Sequence, residues 1–107
     1  MVQSRRVLYA HQGMTSILPD HREDILRIAR AHGASNVRVF GSRARGDARP
    51  DSDLDLLVEL EPGRSLFDYM ALINDLEDAL GVHVDVVTSG GIHPLLRNQI
   101  LAEAVPV

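Results

Sequence analysis

The sequence of 107 residues contains no cysteine. This absence excludes disulfide bonds, catalytic thiols and thiolate zinc sites, and it is typical of a reducing compartment. The chain also lacks the roughly 20 consecutive apolar residues that a membrane-spanning helix needs. Near the N-terminus the apolar run 7–10 is too short for a signal peptide. We therefore expect a soluble, cytoplasmic protein that does not associate with membranes.

Lysine is absent as well, so all eleven basic residues are arginines. Any phosphate contact from a basic side chain must then come from a guanidinium group, which favours bidentate recognition of phosphate oxygens. The formal net charge of −4 argues against a general nucleic-acid binder, which would present a basic patch. We expect no direct binding of nucleic acid.

The length predicts one domain with a modest core. Residues 1–14 show no clear periodicity and are predicted to be an N-terminal extension, so that residues 15–107 form the domain. Hydrophobic spacing and turn residues divide that domain into alternating helices and strands. In chain order the predicted elements are a helix from about 20 to 33, a strand 37–40, a helical turn 42–45, a strand 53–59, a helix 65–80, a strand 82–87 and a helix 94–104.

Two capping boxes mark helix starts. Asp20 with Glu23 is predicted to open the first helix, which Gly33 ends, and Ser65 with Asp68 is predicted to open the second. The second helix carries an apolar stripe at helical spacing, and we expect this stripe to face the core. Its members are Leu66, Met70, Ile73, Leu76 and Leu80.

The loop that begins at Gly41 has the composition of a phosphate-binding turn. Gly41 has no Cβ, so a phosphate can approach its backbone closely, and Ser42 offers a hydroxyl and an amide. Arg43 is predicted to contact phosphate, and Arg45 is a further candidate.

Two carboxylates, Asp53 and Asp55, stand at the start of the following strand. Alternation places both on one face of the sheet, opposite the apolar Leu54, Leu56 and Val58. Adjacent like charges repel, and Mg²⁺, which prefers one or two carboxylates plus substrate phosphates, would relieve that repulsion. The pattern therefore predicts a triphosphate at one end of the loop and its metal ions at the other.

Asp85 is a third candidate carboxylate. In the strand 82–87 the valines alternate with His83 and Asp85, which share the opposite face. Aspartate disfavours strands and an unpaired buried carboxylate is costly, so a role at a site is favoured over an exposed position on an edge strand. Beside Asp53 and Asp55, Asp85 could hold a metal ion and accept a proton from an attacking hydroxyl. His83 could orient a carboxylate or be purely structural.

Other motifs with similar residues do not fit. A calcium loop starting at Asp51 needs glycine at its sixth place and glutamate at its twelfth, where this chain has Leu56 and Pro62. A Walker loop needs lysine after its second glycine, where this chain has Asp47. An isolated D-x-D can also be a solvated strand start, but the Gly-Ser pair ten residues upstream favours a site.

The pattern GSRARGDARPDSDLDLLV resembles the signature of the minimal nucleotidyltransferases, small members of the DNA polymerase β-like nucleotidyltransferase superfamily. With the C-terminal DVVTSGGIHPLLRNQILAEAVPV, the chain resembles the antitoxins of HEPN/MNT toxin–antitoxin pairs over about residues 15–107. The resemblance implies an α/β (α+β) fold, with a small mixed sheet flanked by helices in a single domain.

The resemblance also implies a set of roles. Gly41, Ser42 and the nearby Arg43 would bind the nucleotide phosphates, while Asp53, Asp55 and Asp85 would be the catalytic ligands of two Mg²⁺ ions. In similar antitoxins AMP is transferred from ATP to a hydroxyl, typically a tyrosine, of the partner HEPN ribonuclease, so a hetero-oligomer is expected. Two alternatives stay open: a non-catalytic antitoxin that occludes its toxin stoichiometrically, and a nucleotidylyltransferase that acts on a small molecule.

Overall fold

A computed structural model describes residues 17–107, so the predicted extension over residues 1–14 lies outside the described residues. The described chain alternates helices and strands in one small α+β domain, as predicted. None of its helices is both long enough and apolar enough to span a bilayer. The elements are α1 (Ile17–Ala31), β1 (Ala34–Phe40), α2 (Ser42–Arg45), β2 (Leu54–Leu60), α3 (Leu66–Leu80), β3 (Val84–Thr88), 3-10 turns at Ser89–Gly91 and Pro94–Leu96, α4 (Arg97–Glu103) and β4 (Val105–Pro106).

Within residues 17–107, four strands form one mixed sheet in the order β3-β2-β1-β4. β1 is antiparallel to both of its neighbours, whereas β2 and β3 are parallel. Parallel neighbours need a long crossover connection, and α3 provides it. The two strands predicted to carry the carboxylates are therefore adjacent.

Helices α1 and α3 contact each other and cover one face of the sheet, where the main hydrophobic core lies. Its fully buried members include Ile25, Leu54, Leu56, Leu72 and Leu76. Leu57 points to the opposite face, which it shares with Asp55, and is also fully buried, outside the main cluster. The carboxylates of β2 therefore stand at the end of a strand that is buried on both faces.

Helix ends follow local sequence where a capping residue is present. The capping box of Ser65 and Asp68 is confirmed: each side chain bonds the other's backbone N–H, and Gly81 ends α3 in the left-handed conformation. The capping box predicted for α1 is wrong, because the helix begins at Ile17 and Asp20 lies inside its first turn. There its negative charge still lies near the positive end of the helix dipole.

The apolar stripe of α3 is shifted from the predicted one. Leu76 and Leu80 are buried as expected, and Leu72 joins them, but Leu66 and Met70 are 69% and 53% exposed. The first turn of α3 therefore lies beyond the edge of the core. Apolar spacing alone does not indicate which of these side chains are buried, because apolar residues occur on more than one face of α3.

Several strand and helix limits also differ from the predictions. β1 begins at Ala34, and a register irregularity between Ser35 and Arg38, with Asn36 at φ 50°, breaks the alternation that would have revealed its start. The predicted helix 94–104 is a 3-10 turn followed by the shorter α4. The short strand β4, which pairs with β1, was not predicted.

Candidate active site

The turn that connects β1 to α2 is shaped around Gly41. Gly41 has φ +75°, a conformation that L side chains rarely adopt, and a Cβ at this position would collide with Oδ2 of Asp55. The sequence suggested that glycine gives room to a phosphate; the structure shows that it also gives room to a carboxylate. Gly41 is therefore required for the close approach of the turn to β2.

The three predicted carboxylates meet at one end of the β2–β3 pair. In the parallel register Asp55 lies opposite Asp85, and Asp53 immediately precedes β2. Val84 and Val86 are buried on the other face, which confirms the predicted alternation of β3. Strand parity and register together bring the carboxylates to one surface.

The proximity of these groups changes the acidity of Asp55. Burial, the negative charges of Asp85 and Asp53, and a hydrogen bond with Asp85 raise the pKa of Asp55 to about 6, from a usual value of 3.8. The positive charge of Arg45 opposes this shift. A carboxyl that resists ionisation beside other carboxylates is stabilised either by a proton or by a cation.

His83 immediately precedes β3, and it contacts the carboxylate cluster more closely than the sequence indicated. Its Nε2 is 3.2 Å from Oδ1 of Asp85, and its Nδ1 is 2.8 Å from Oε2 of Glu77. Burial lowers its pKa, but the charges of Asp85, Asp53 and Glu77 outweigh burial, so the pKa is raised overall. The ligand atoms of Asp53, His83 and Asp85 lie within 4.8 Å of one another.

This donor set fits a divalent cation. Carboxylate oxygens are the ligands that Mg²⁺ prefers, and a cation would offset both the burial of Asp55 and the repulsion from Asp85 and Asp53. An imidazole in the same cluster would also suit softer divalent ions. The clustered donors are therefore Asp53, His83 and Asp85, and Asp55 lies opposite Asp85 in the strand register.

Arg43 does not lie where the sequence prediction placed it. Its side chain is only 3% exposed, and Nη2 donates to the carbonyl oxygens of Arg49, Pro50 and Ser52, at 3.4, 3.1 and 2.6 Å. This position argues against a phosphate contact, because the guanidinium holds the loop that leads to Asp53. Ser52 also supports the loop, since its Oγ accepts the N–H of Arg49 at 2.7 Å.

A cleft of about 640 Å³ runs from the glycine turn to the carboxylates. Its polar wall includes Gly41, Ser42, Arg45, Asp53, Asp55 and Glu103, and its apolar wall includes Phe40, Leu96 and Ile100. The cleft therefore brings together the predicted turn and two of the three predicted carboxylates. Sequence reasoning missed Glu103, which lies in α4 without a local motif to mark it.

The arrangement has the parts that phosphoryl transfer needs. A turn with a close backbone approach, an arginine and a cluster of carboxylates surround one cleft. Such a site can position a polyphosphate and, through a metal ion, stabilise the charge that develops as a phosphate ester forms.

Comparison with known proteins agrees with this geometry. The nucleotidyltransferase domain family matches residues 21–107. The protein adenylyltransferase MntA of Thermococcus cleftensis is 36% identical over 92 residues, which are 86% of this chain and 90% of that protein.

Solved structures show the same fold. A protein inferred to be a minimal nucleotidyltransferase is 54% identical, with a TM-score of 0.75 over 84% of this chain and 92% of that one. A toxin–antitoxin structure with AMP-PNP has a TM-score of 0.68 over 78% of this chain and 69% of that one; at 22% identity it supports the fold alone. With the family match and the carboxylate cleft, these findings show that the chain belongs to the nucleotidyltransferase domain family and is a nucleotidyltransferase enzyme.

Proposed function

We propose that this chain is a Mg²⁺-dependent protein adenylyltransferase that transfers AMP from ATP to a hydroxyl, a tyrosine, of a partner HEPN toxin ribonuclease and thereby neutralises it. Catalysis is supported above all by the register of β2 and β3, which places Asp55 opposite Asp85 with Asp53 close by. A purely occluding antitoxin would not need three clustered carboxylates, in which burial and then the charges of Asp85 and Asp53 raise the pKa of Asp55.

The nucleotide would lie along the cleft. Gly41 and Ser42 would hold its phosphates, and Arg45, which lines the cleft, would supply the guanidinium contact that the sequence assigned to Arg43. Asp53, Asp55 and Asp85 would hold two Mg²⁺ ions, which when bound would neutralise phosphate charge and lower the pKa of the acceptor hydroxyl.

The reaction itself is a displacement at the α-phosphorus. The acceptor oxygen forms a bond to the α-phosphorus while the bond to the bridging oxygen of the β-phosphate breaks, so that pyrophosphate leaves. Asp85 takes the proton of the attacking hydroxyl. The product is the AMP ester of the acceptor side chain.

A protein acceptor is supported by the relative named protein adenylyltransferase MntA. The surface near the cleft is consistent with it. Leu95 and Leu96 are 86% and 50% exposed, and Leu96 also lines the cleft. Exposed apolar groups beside an active site suit a partner that delivers its hydroxyl as it docks.

Intact mass spectrometry tests the proposal. The protein is mixed with ATP, Mg²⁺ and the product of the adjacent gene as the candidate toxin, and both proteins are weighed. A gain of AMP units on the toxin, lost with Asp53→Asn and kept with Glu23→Gln on the exposed surface of α1, would support the enzyme. No gain, with a stable complex that still silences the toxin, would contradict catalysis and indicate occlusion.

A further inference from the structure

Glu103 brings a further carboxylate into the cleft that we propose for a triphosphate. Its Oε1 accepts the backbone N–H of Gly41 at 3.1 Å, and its Oε2 accepts a hydrogen bond from Nη1 of Arg45 at 3.1 Å. The side chain is 21% exposed. An acidic group beside bound phosphates would repel them unless its charge were balanced, so its presence needs an explanation.

The backbone around Glu103 fixes the position of this carboxylate. Glu103 is the last residue of α4, whose end is tied by a bond from the N–H of Ala104 to the carbonyl of Ile100. Immediately afterwards β4 pairs with β1, with Val105 opposite Val39. Because β1 leads directly into the glycine turn, the sheet itself holds Glu103 against that turn.

Both oxygens of Glu103 are engaged, and one of their partners carries the opposite charge. A guanidinium has five N–H donors, and the contacts of Arg45 to Glu103 and Asp47 use Nη1 and Nε. The donors on Nη2 can then meet a phosphate oxygen. Glu103 thus constrains both the backbone of Gly41 and the direction of the Arg45 side chain.

We propose that Glu103 is a positioning residue for nucleotide binding, which holds the Gly41 turn and the Arg45 guanidinium in the arrangement that accepts the ATP phosphates. This inference rests on the proposed function, because it assumes that ATP binds in this cleft. Glu103 need not touch the nucleotide, since it acts through Gly41 and Arg45. The sign of its effect separates this role from simple competition with phosphate: a positioning residue strengthens ATP binding, whereas a competitor weakens it.

The experiment uses the full chain and measures the dissociation constant of ATP with Mg²⁺ by calorimetry. Glu103→Gln keeps an acceptor for the Gly41 N–H but loses the charge that holds Arg45, and Glu103→Ala loses both. Asp68→Asn is the matched control, because Asp68 also accepts a backbone N–H and pairs with an arginine, Arg64, but lies at the start of α3 outside the cleft.

We expect Glu103→Ala to weaken ATP binding about tenfold and Glu103→Gln by a smaller factor, in keeping with the loss of charge-assisted hydrogen bonds. With the toxin as acceptor, KM for ATP should rise while kcat at saturating ATP stays within about threefold, because no reacting group is removed. Asp68→Asn should lower the thermal midpoint without changing ATP affinity. In addition, the effects of Arg45→Gln and Glu103→Gln on ATP affinity should be non-additive, because both substitutions remove the same contact between Arg45 and Glu103.

Two results with the Glu103 variants would overturn the inference. Unchanged affinity in both Glu103 variants would make Glu103 structural only, and tighter binding would make it an internal competitor. Failure of the wild-type protein to bind ATP would overturn the proposed function and this inference together. ATP binding and AMP transfer by the wild type, with unaffected Glu103 variants, would overturn the inference alone.

Discussion

Replacing Asp85 by asparagine should make the metal-free protein more stable while it abolishes AMP transfer. The pKa of Asp55 is about 6 in the folded protein, against 3.8 for the unperturbed group. This difference corresponds to at most roughly 3 kcal/mol of destabilisation when Asp55 is ionised, and solvent screening of this partly exposed carboxyl lowers the cost. Because burial is the largest cause and Asp85 the second, Asp85→Asn should recover about 1 kcal/mol, which is roughly 4–8 °C in thermal midpoint.

The stability gained by Asp85→Asn should depend on pH. The folded-state pKa of Asp55 lies above the unfolded-state value, so the folded protein binds the proton more tightly. The contribution of Asp55 to the free energy of unfolding is therefore greatest below about pH 4 and is lost as the pH rises through about 6. The stabilisation by Asp85→Asn should accordingly be large at about pH 7.5 and small at about pH 5, where Asp55 is mostly protonated.

Urea unfolding in the presence of a chelator, at both pH values, measures the effect. Glu23→Gln is the control for the change in net charge, because Glu23 is exposed on α1 and does not line the cleft. Added Mg²⁺ should then stabilise the wild type but not Asp85→Asn. If Asp85→Asn is no more stable than the control at about pH 7.5, or if its gain does not depend on pH, then repulsion between Asp55 and Asp85 does not destabilise the protein.

Three further substitutions test individual contacts by denaturant unfolding. Gly41→Ala should lower the free energy of unfolding by about 1–3 kcal/mol, because alanine disfavours the positive φ and its Cβ would collide with Asp55. The variant should also lose ATP binding, and a normal ATP affinity would contradict the role of the Gly41 turn. Arg43→Met should cost about 2–4 kcal/mol, because it leaves carbonyl oxygens of the loop without their donor, whereas Arg49→Met on the exposed loop should change stability little. Leu72→Ala in the core should lower the free energy of unfolding by about 2–5 kcal/mol, whereas Phe67→Ala, at a side chain that is 83% exposed, should change it by no more than about 0.5 kcal/mol. Equal losses of stability would contradict the position of α3.

The sequence predicted those parts of the site that depend on local rules. Strand parity placed Asp53 and Asp55 on one face and separated Asp85 from its valine neighbours, because residues two apart in a strand always share a face. The capping box of Ser65 was equally predictable, since it involves only residues three apart.

Contacts between distant segments were not predictable in this way. The position of Arg43 beside the Gly-Ser turn predicts a phosphate contact, but in the structure the loop closes over its guanidinium and supplies carbonyl acceptors. The bond from Gly41 to Glu103 joins positions 62 residues apart, and nothing near either position signals it. The spacing of Leu66 predicts a core position, but the side chain is 69% exposed at the first turn of α3.

The parallel register of β2 and β3 links the integrity of the core to that of the chemistry. Val84 and Val86 flank Asp85, and both are buried. A slip of β3 by one residue would send Asp85 into the core and bring the two valines to the cleft. The carboxylates can therefore be assembled in only one discrete alignment, and the packing of the valines enforces it. Substitutions in the core should therefore change the stability of the protein much more than the positions of the carboxylates in the molecules that remain folded.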